Sequence, residues 1–226
     1  MENYEVVKKL GQGAMGEVLL VRRHADNVNL AMKRLAIWSE KDRQQALNES
    51  VILRSLWHPH IVRFVDSFVD GQDMCIAMEL CSGGDLSTLL KVQRETQRRF
   101  PELEIRSMLA QLASALAYMH GKRVVHRDIK SSNVMLRGAG LNSERHLLLG
   151  DFGVAKALES TRAMACTVTG TPYYLPPEVC NGAAYNAKAD LWSFGVLAYE
   201  ICSLRLPFQV RAMAEGRISI LIVELG

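Results

Sequence analysis

The sequence predicts an α+β fold, with strands gathered in its first third and helices in the remainder. Three observations carry this. Val6-Val7-Lys8-Lys9-Leu10 and Glu17-Val18-Leu19-Leu20-Val21 flank a glycine-rich turn, so the chain opens as strand, turn, strand. Ile105, Met108, Leu109, Leu112, Leu116 and Met119 form a stripe at the helical period, which predicts a helix from Glu102 to His120. The apolar stretch from Asp190 to Leu206 carries Asp190, Glu200 and Arg205, which suits a buried helix and not a membrane span.

Composition narrows the class. With 226 residues, 49% of them apolar and 23% charged, the chain can bury a core in one domain or two lobes. A formal net charge of +3 is too small to indicate nucleic acid or an anionic membrane as partner. The five cysteines, Cys75, Cys81, Cys166, Cys180 and Cys202, form no C-x-x-C pair and no regular spacing. Free thiols in a reducing compartment fit that scatter better than a disulfide framework or a zinc site. Met1-Glu2-Asn3-Tyr4-Glu5 is charged and lacks an apolar run, so no signal peptide is expected.

The first elements follow in order. Gly11-Gln12-Gly13-Ala14-Met15-Gly16 is a G-x-G-x-x-G, a pattern that also fits a Rossmann turn; the strand-like run after it argues against one, because a Rossmann loop opens a helix. Glycines let a backbone close over phosphates without Cβ clashes, and the amides supply donors. The plain alternative is a glycine-rich hairpin with no ligand. Leu30-Ala31-Met32-Lys33 is the next strand, and from Ser39 to Leu56 the pattern is helical, opened by a capping box of Ser39 and Asp42. Ala46, Glu49, Leu53 and Leu56 share one face of that helix. A carboxylate in the middle of an apolar face needs a cation, and Lys33 is the candidate; otherwise Glu49 sits at the edge of the face. Two further strand-like runs end at Ile76-Ala77-Met78-Glu79-Leu80-Cys81, and Ser82-Gly83-Gly84-Asp85-Leu86 breaks the pattern. After the long helix, Gly121 with Lys122 and Arg123 makes the stop, and Val124-Val125 leads onward.

The chemistry is concentrated in two short motifs. His126-Arg127-Asp128-Ile129-Lys130-Ser131-Ser132-Asn133 is followed downstream by Asp151-Phe152-Gly153. Asp128, Asn133 and Asp151 are oxygen-bearing side chains in short loops, with a lysine between them. That is an inventory for holding a magnesium triphosphate and accepting a proton from an alcohol. Loop solvation or turn capping explains any one of these residues, but not all of them in this order.

Read as H-R-D-x-K-x-x-N and D-F-G, the motifs resemble the catalytic core of eukaryotic protein kinases, with Lys130 in the position of the serine/threonine branch. The resemblance covers about Tyr4 to Phe208. It implies a bilobal protein-kinase-like fold: a small β-rich N-lobe over 1–78 with one key helix, a hinge over 79–85, and a larger helical C-lobe over 86–226. It implies ATP and Mg2+ as cofactors. Asp128 would orient the substrate hydroxyl and accept its proton, and Lys130 would offset charge on the transferred phosphoryl group. Lys33, paired with Glu49, would hold the phosphates, and Asn133 and Asp151 would hold magnesium. The nucleotide would lie among Leu10, Gly11, Gln12, Gly13, Ala14, Met15, Gly16, Val18 and Ala31. Met78 would stand at the back of the adenine pocket and Met135 on its floor. The backbone of Glu79 and Cys81 would meet the adenine edge, with Asp85 near the ribose. Protein substrates with Ser or Thr acceptors are the implied partners, with an activating kinase or autophosphorylation upstream. A cytoplasmic location with cytoskeletal association is implied as well.

The later motifs refine the resemblance. Ser160, Thr161, Thr167, Thr169 and Thr171 lie between Asp151 and Glu178, in a segment ending Gly170-Thr171-Pro172-Tyr173-Tyr174-Leu175-Pro176-Pro177-Glu178. It resembles an activation segment closing in A-P-E, with Pro176 in place of the alanine. Together with the run from Leu158 to Ala165 and that from Met78 to Leu86, it is most similar to NIMA-related kinases. Thr167 is the expected activating phosphosite, with Thr161 or Thr169 as alternatives. Arg127 is its expected phosphate receptor, and Lys156 a second cation. Asp190-Leu191-Trp192-Ser193-Phe194-Gly195 matches the D-x-W-S-x-G start of a buried helix, with Asp190 expected to bond the catalytic-loop backbone.

Two departures stand out. The stretch from Leu141 to His146 reads as a lengthened loop. The run from Ile218 to Gly226 does not match the expected continuation, so an incomplete C-lobe is expected. Glu178 would then be a buried carboxylate without its arginine unless Arg205, Arg211 or Arg217 substitutes, and apolar surface would be uncovered. Rival readings are an inactive kinase-like module acting as a binding or dominant-negative fragment, and a small-molecule phosphotransferase of the same fold. The segment from Gly170 to Glu178, which docks a peptide in the family, counts against the second.

Overall fold

Alternation along the opening strands decides the architecture. The computed structural model describes residues 1–13, 16–138, 145–151, 156–157, 172–180, 182–212 and 218–222. Strands β1 (Tyr4–Gly13), β2 (Gly16–Arg23), β3 (Asn29–Ala36), β4 (Phe64–Asp70) and β5 (Asp73–Glu79) form an antiparallel sheet in the order β1-β2-β3-β5-β4. Leu19, Val21, Leu30, Met32, Cys75 and Ala77 are buried on one face with Tyr4, whose ring stacks on Phe68 at 5.6 Å. The register sets Val18 opposite Lys33 and Ala31 opposite Met78, so these four share the other face.

Helix α1 (Glu40–Ser55) packs by that second face. Ser39 Oγ caps it, accepting from Asp42 N at 3.2 Å while donating to Asp42 Oδ2 at 2.7 Å. The reciprocal bond of the expected capping box therefore runs between side chains. Ala46, Glu49, Leu53 and Leu56 are all buried, as their spacing predicted. Ser50 and Ser67, joined at 2.7 Å, tie the helix to β4.

The helical lobe holds α2 (Leu86–Glu95), α3 (Glu102–Gly121), the single turn α4 (Pro177–Cys180) and α5 (Ala187–Ser203). Short strands β6 (Val124–Val125), β7 (Val134–Arg137), β8 (His146–Leu149) and β9 (Lys156–Ala157) pair as β6-β9 and β7-β8. One core runs from Leu35 and Leu53 through Ile61 and Leu149 to Met108, Leu112, Leu197 and Ile201, joining the lobes. The stop after α3 differs from expectation. Gly121 is still helical, and the left-handed residue that turns the chain is Arg123, at φ 59°. After α5 the tail shows order: β10 (Phe208–Ala212) and β11 (Ile218–Ile222) pair antiparallel.

No helix among the described residues is long and apolar enough to cross a membrane. Among the described residues, the exposed large apolar side chains of the helical lobe, Val92, Leu103 and Leu191, stand on three separate helices. The lengthened loop, apart from Arg145 and His146, lies outside the described residues.

Candidate active site

Lys33 is where the lobes meet chemically. Its Nζ donates to Glu49 Oε1 at 2.9 Å and to Asp151 Oδ1 at 2.8 Å. The Lys33 and Glu49 side chains are only 15% and 7% exposed, against 51% for Asp151. Burial works against the lysine charge, but the two carboxylates outweigh it and hold the ammonium above its ordinary pKa. Burying Glu49 without Lys33 would strand a charge, so the two are one structural unit. Lys33→Met and Glu49→Gln are each expected to lower kcat/KM for phosphate transfer, and the double variant to lose clearly less than the product of the two. Steady-state kinetics on the three variants measures this; fully multiplicative losses would show that the pair does not act as a unit.

The loop after β6 is organised around Asp128. Oδ2 of Asp128 accepts from Lys130 Nζ and from Asn133 Nδ2, both at 2.8 Å. The same Asn133 Nδ2 also reaches Asp128 O at 2.8 Å. With its amide nitrogen held there, Asn133 presents Oδ1 as the oxygen available to a cation. Gly150 N donates to Asn133 O at 2.9 Å, which brings Asp151, one residue on, beside that amide. Asp151 has φ 52°. Among the described residues no three His, Cys, Asp or Glu cluster to hold a metal unaided. A cation that arrives on phosphates and keeps several waters needs only one or two protein oxygens, so Asn133 and Asp151 fit magnesium.

His126 and Asp190 hold this loop from beneath. His126 is fully buried; its Nε2 contacts Gly150 O at 3.0 Å, and Asp128 N donates to its Nδ1 at 3.3 Å. That pairing requires the neutral tautomer with the proton on Nε2. Burial holds its pKa below the ordinary histidine value. The unfolded chain therefore takes up this proton first: His126's contribution is fully present above about pH 6.5 and is lost as pH falls below it, by up to about 1.4 kcal/mol per unit. Denaturant melts between pH 7.5 and 5.5 should decline more steeply for the wild type than for His126→Gln; equal slopes would contradict this. Asp190 Oδ1 and Oδ2 accept from Arg127 N at 3.0 Å and His126 N at 2.9 Å, as its motif predicted, and also from Tyr185 OH and His120 Nε2.

The nucleotide side is only partly described. Ala14 and Met15 lie outside the described residues. Gly16, at φ 155°, has to be glycine for a reason in the sheet: a Cβ there would lie 1.9 Å from Arg34 O. Gly11 has open space around it. Gln12 spans the turn, donating to Gly16 O at 3.3 Å, and Leu10 is exposed. Asp85 bridges to Met135. Its carboxylate caps α2, accepting from Thr88 N at 2.9 Å and from Thr88 Oγ1 at 3.1 Å. At the far end of the segment from Leu80 to Asp85, the half-buried thiol of Cys81 is pushed up to about 12 by desolvation and by Glu79.

Several expected residues fall elsewhere. Phe152, Gly153, Ser160, Thr161, Thr167, Thr169, Thr171 and Cys166 lie outside the described residues. Glu178 is exposed on α4, with no ion pair among the described residues. The expected penalty of a buried, unpaired carboxylate does not arise, because in this single turn Val179 takes the inward position. Sequence reasoning missed Glu200, which is buried on α5 and accepts from Arg94 Nη2 at 2.7 Å and from Tyr174 OH. The signal was present: like Glu49, Glu200 is a carboxylate within an apolar stripe.

A β-sheet lobe over a helical lobe, with a lysine–glutamate pair meeting an aspartate across the cleft beside an Asp-Lys-Asn loop, defines a phosphotransferase scaffold of the kinase class. The chain belongs to the protein kinase domain family, whose model matches residues 4–222 and so takes in the tail strand that the motif reading left out. It is 42% identical over 212 residues to serine/threonine-protein kinase Nek3 of Mus musculus, a match covering 94% of this chain and 40% of the relative. It is 35% identical over 226 residues to serine/threonine-protein kinase Nek5 of Mus musculus, covering 97% of this chain and 35% of that one. With serine/threonine-protein kinase Nek2 of Homo sapiens it shares 37% identity over 223 residues, 95% of this chain and 49% of the relative. The chain thus spans less than half the length of these relatives. The similarity to NIMA-related kinases read from the motifs agrees with these matches.

Proposed function

We propose that this chain transfers the γ-phosphoryl group of ATP, with Mg2+, to Ser or Thr hydroxyls of proteins. The observation that carries this is the double bond of Lys33 to Glu49 and to Asp151 across the cleft. In this reading Lys33 holds the nucleotide phosphates and Glu49 keeps it aimed. Asn133 Oδ1 and Asp151 hold magnesium, whose charge neutralises that of the transferred group. Asp128, steadied at Oδ2 by Lys130 and Asn133, uses Oδ1 to orient the acceptor hydroxyl and take its proton. Lys130 then offsets charge beside it. Val18, Ala31, Met78 and Met135 supply the apolar walls for the base, and the Glu79 and Cys81 backbone its edge contacts. The resemblance to NIMA-related kinases is what supports a cytoplasmic working location with cytoskeletal association. Adding Mg-ATP to the purified chain should raise its melting temperature; no shift at millimolar nucleotide would count against the site.

Thr167 is the proposed activating phosphosite and Arg127 its receptor. Arg127 Nε and Nη2 are buried without a hydrogen-bond partner among the described residues, and desolvation holds the guanidinium below its ordinary pKa. Guanidinium nitrogens buried without acceptors are costly, and a phosphate brings roughly −2 charge and strong acceptor oxygens to satisfy them. Thr167→Ala and Arg127→Ala are each expected to lower activity about tenfold, the size of one charged hydrogen bond. Mass spectrometry of active protein should find the phosphate on Thr167; full activity with Thr167 unmodified would rule the assignment out.

A further inference from the structure

Glu79 ends β5 and is bonded to both sides of the cleft. Within the sheet lobe its N–H donates to Arg63 O at 3.0 Å, and its Oε1 accepts from Arg63 N at 2.7 Å. Its Oε2 accepts from Arg137 Nη2 at 2.8 Å. Arg137 ends β7, the strand that follows Asn133 in the helical lobe. The Arg63 guanidinium does not compete for the carboxylate, since it lies over the Trp57 ring at 5.5 Å.

Farther along the crossover the backbone itself is fastened to β7. Gly83 N donates to Leu136 O at 3.0 Å, and Leu136 N donates to Gly84 O at 2.9 Å. The approach is so close that a Cβ on Gly83 would lie 2.5 Å from Gly138 O. The second half of the crossover is therefore part of the helical lobe, while Glu79 moves with the sheet. Any rotation of one lobe against the other has to bend the chain between these points and pull Glu79 away from Arg137.

We propose that the Glu79–Arg137 pair is an inter-lobe latch. It holds the cleft at the closure in which Lys33 reaches Asp151, and so governs how fast a nucleotide leaves. Both side chains are positioning residues, acting on nucleotide through the lobe angle. This rests on the nucleotide-binding reading above. With Arg137 47% and Glu79 22% exposed, the pair is partly screened, and a latch of this kind changes an equilibrium by about fivefold at most.

The test is stopped-flow release of a fluorescent ADP analogue, with Mg2+, from the wild type, Glu79→Gln, Arg137→Met and the double variant. Glutamine keeps the acceptor for Arg63 N and removes only the charge. Each single variant is expected to release nucleotide about two- to fivefold faster. The double variant should release it no faster than either single, and Arg137→Lys should restore most of the wild-type rate. In Arg137→Met the KM for ATP should rise with the release rate while kcat does not fall, a split that general destabilisation would not produce. Binding with unchanged release rates, or rates that multiply in the double variant, would overturn the latch and leave the nucleotide site standing. A wild type that fails to bind the analogue at all would overturn the nucleotide reading and the latch with it.

Discussion

Replacing Asp128 with asparagine is expected to lower turnover by about 10²–10⁴-fold while leaving ATP affinity nearly unchanged. The argument is geometric. Asp128 Oδ2 is held by Lys130 and Asn133, which fixes the plane of the carboxylate and leaves Oδ1 to meet an acceptor hydroxyl. An amide of the same shape keeps the packing but cannot accept a proton. The nucleotide-side groups, Lys33, Glu49 and Asp151, are held by their bonds to one another, so the effect should appear in kcat and not in nucleotide binding. Wild-type turnover in purified Asp128→Asn would remove Asp128 from the mechanism.

Asp190→Ala is expected to be the most destabilising single substitution in the loop's support. The carboxylate is wholly buried and accepts from His126 N, Arg127 N, His120 Nε2 and Tyr185 OH. Desolvation alone would raise its pKa, but the bonds from His120 and from the Arg127 and His126 amides hold it below the usual carboxylate value. Removing it leaves at least the two loop amides unsatisfied at about 1–3 kcal/mol each, so a loss of about 2–6 kcal/mol is expected. For a chain of this size that lowers the melting temperature by roughly 10 °C. Activity should fall with it, because Asp128 directly follows the two anchored amides. Asp190→Asn, which keeps one acceptor oxygen, should fall between. An Asp190→Ala protein melting within a degree of the wild type at full activity would show that the loop is held by something else.

How much of this was legible in the sequence depended on whether partners announce each other locally. Glu49 did, because a carboxylate in the middle of an apolar stripe demands a cation and a strand lysine stood nearby. Glu200 carried the same signal, but its partners Arg94 and Tyr174 lie far away in the chain, and only the fold brings them in. The Glu79–Arg137 pair carried no such signal, since each charge is the last residue of a short apolar strand and reads as the point where the chain returns to solvent. Gly16 was read as a phosphate-loop glycine, yet what demands it is Arg34 O on the neighbouring strand. Asp85, read by resemblance as a ribose contact, sits ahead of Ser87 and Thr88 in a local helix-cap pattern, and capping is what its carboxylate does. Gly121 suggested a helix stop by type, but the positive φ falls on Arg123.

The most direct test of the account is phosphate transfer itself. The purified chain is incubated with Mg2+ and γ-labelled ATP in the presence of a Ser/Thr-rich protein, beside Lys33→Met, and the labelled amino acids are identified. The account predicts label on serine or threonine from the wild type and its loss in Lys33→Met. ATP turnover with no label on protein, or equal label from both chains, would contradict it.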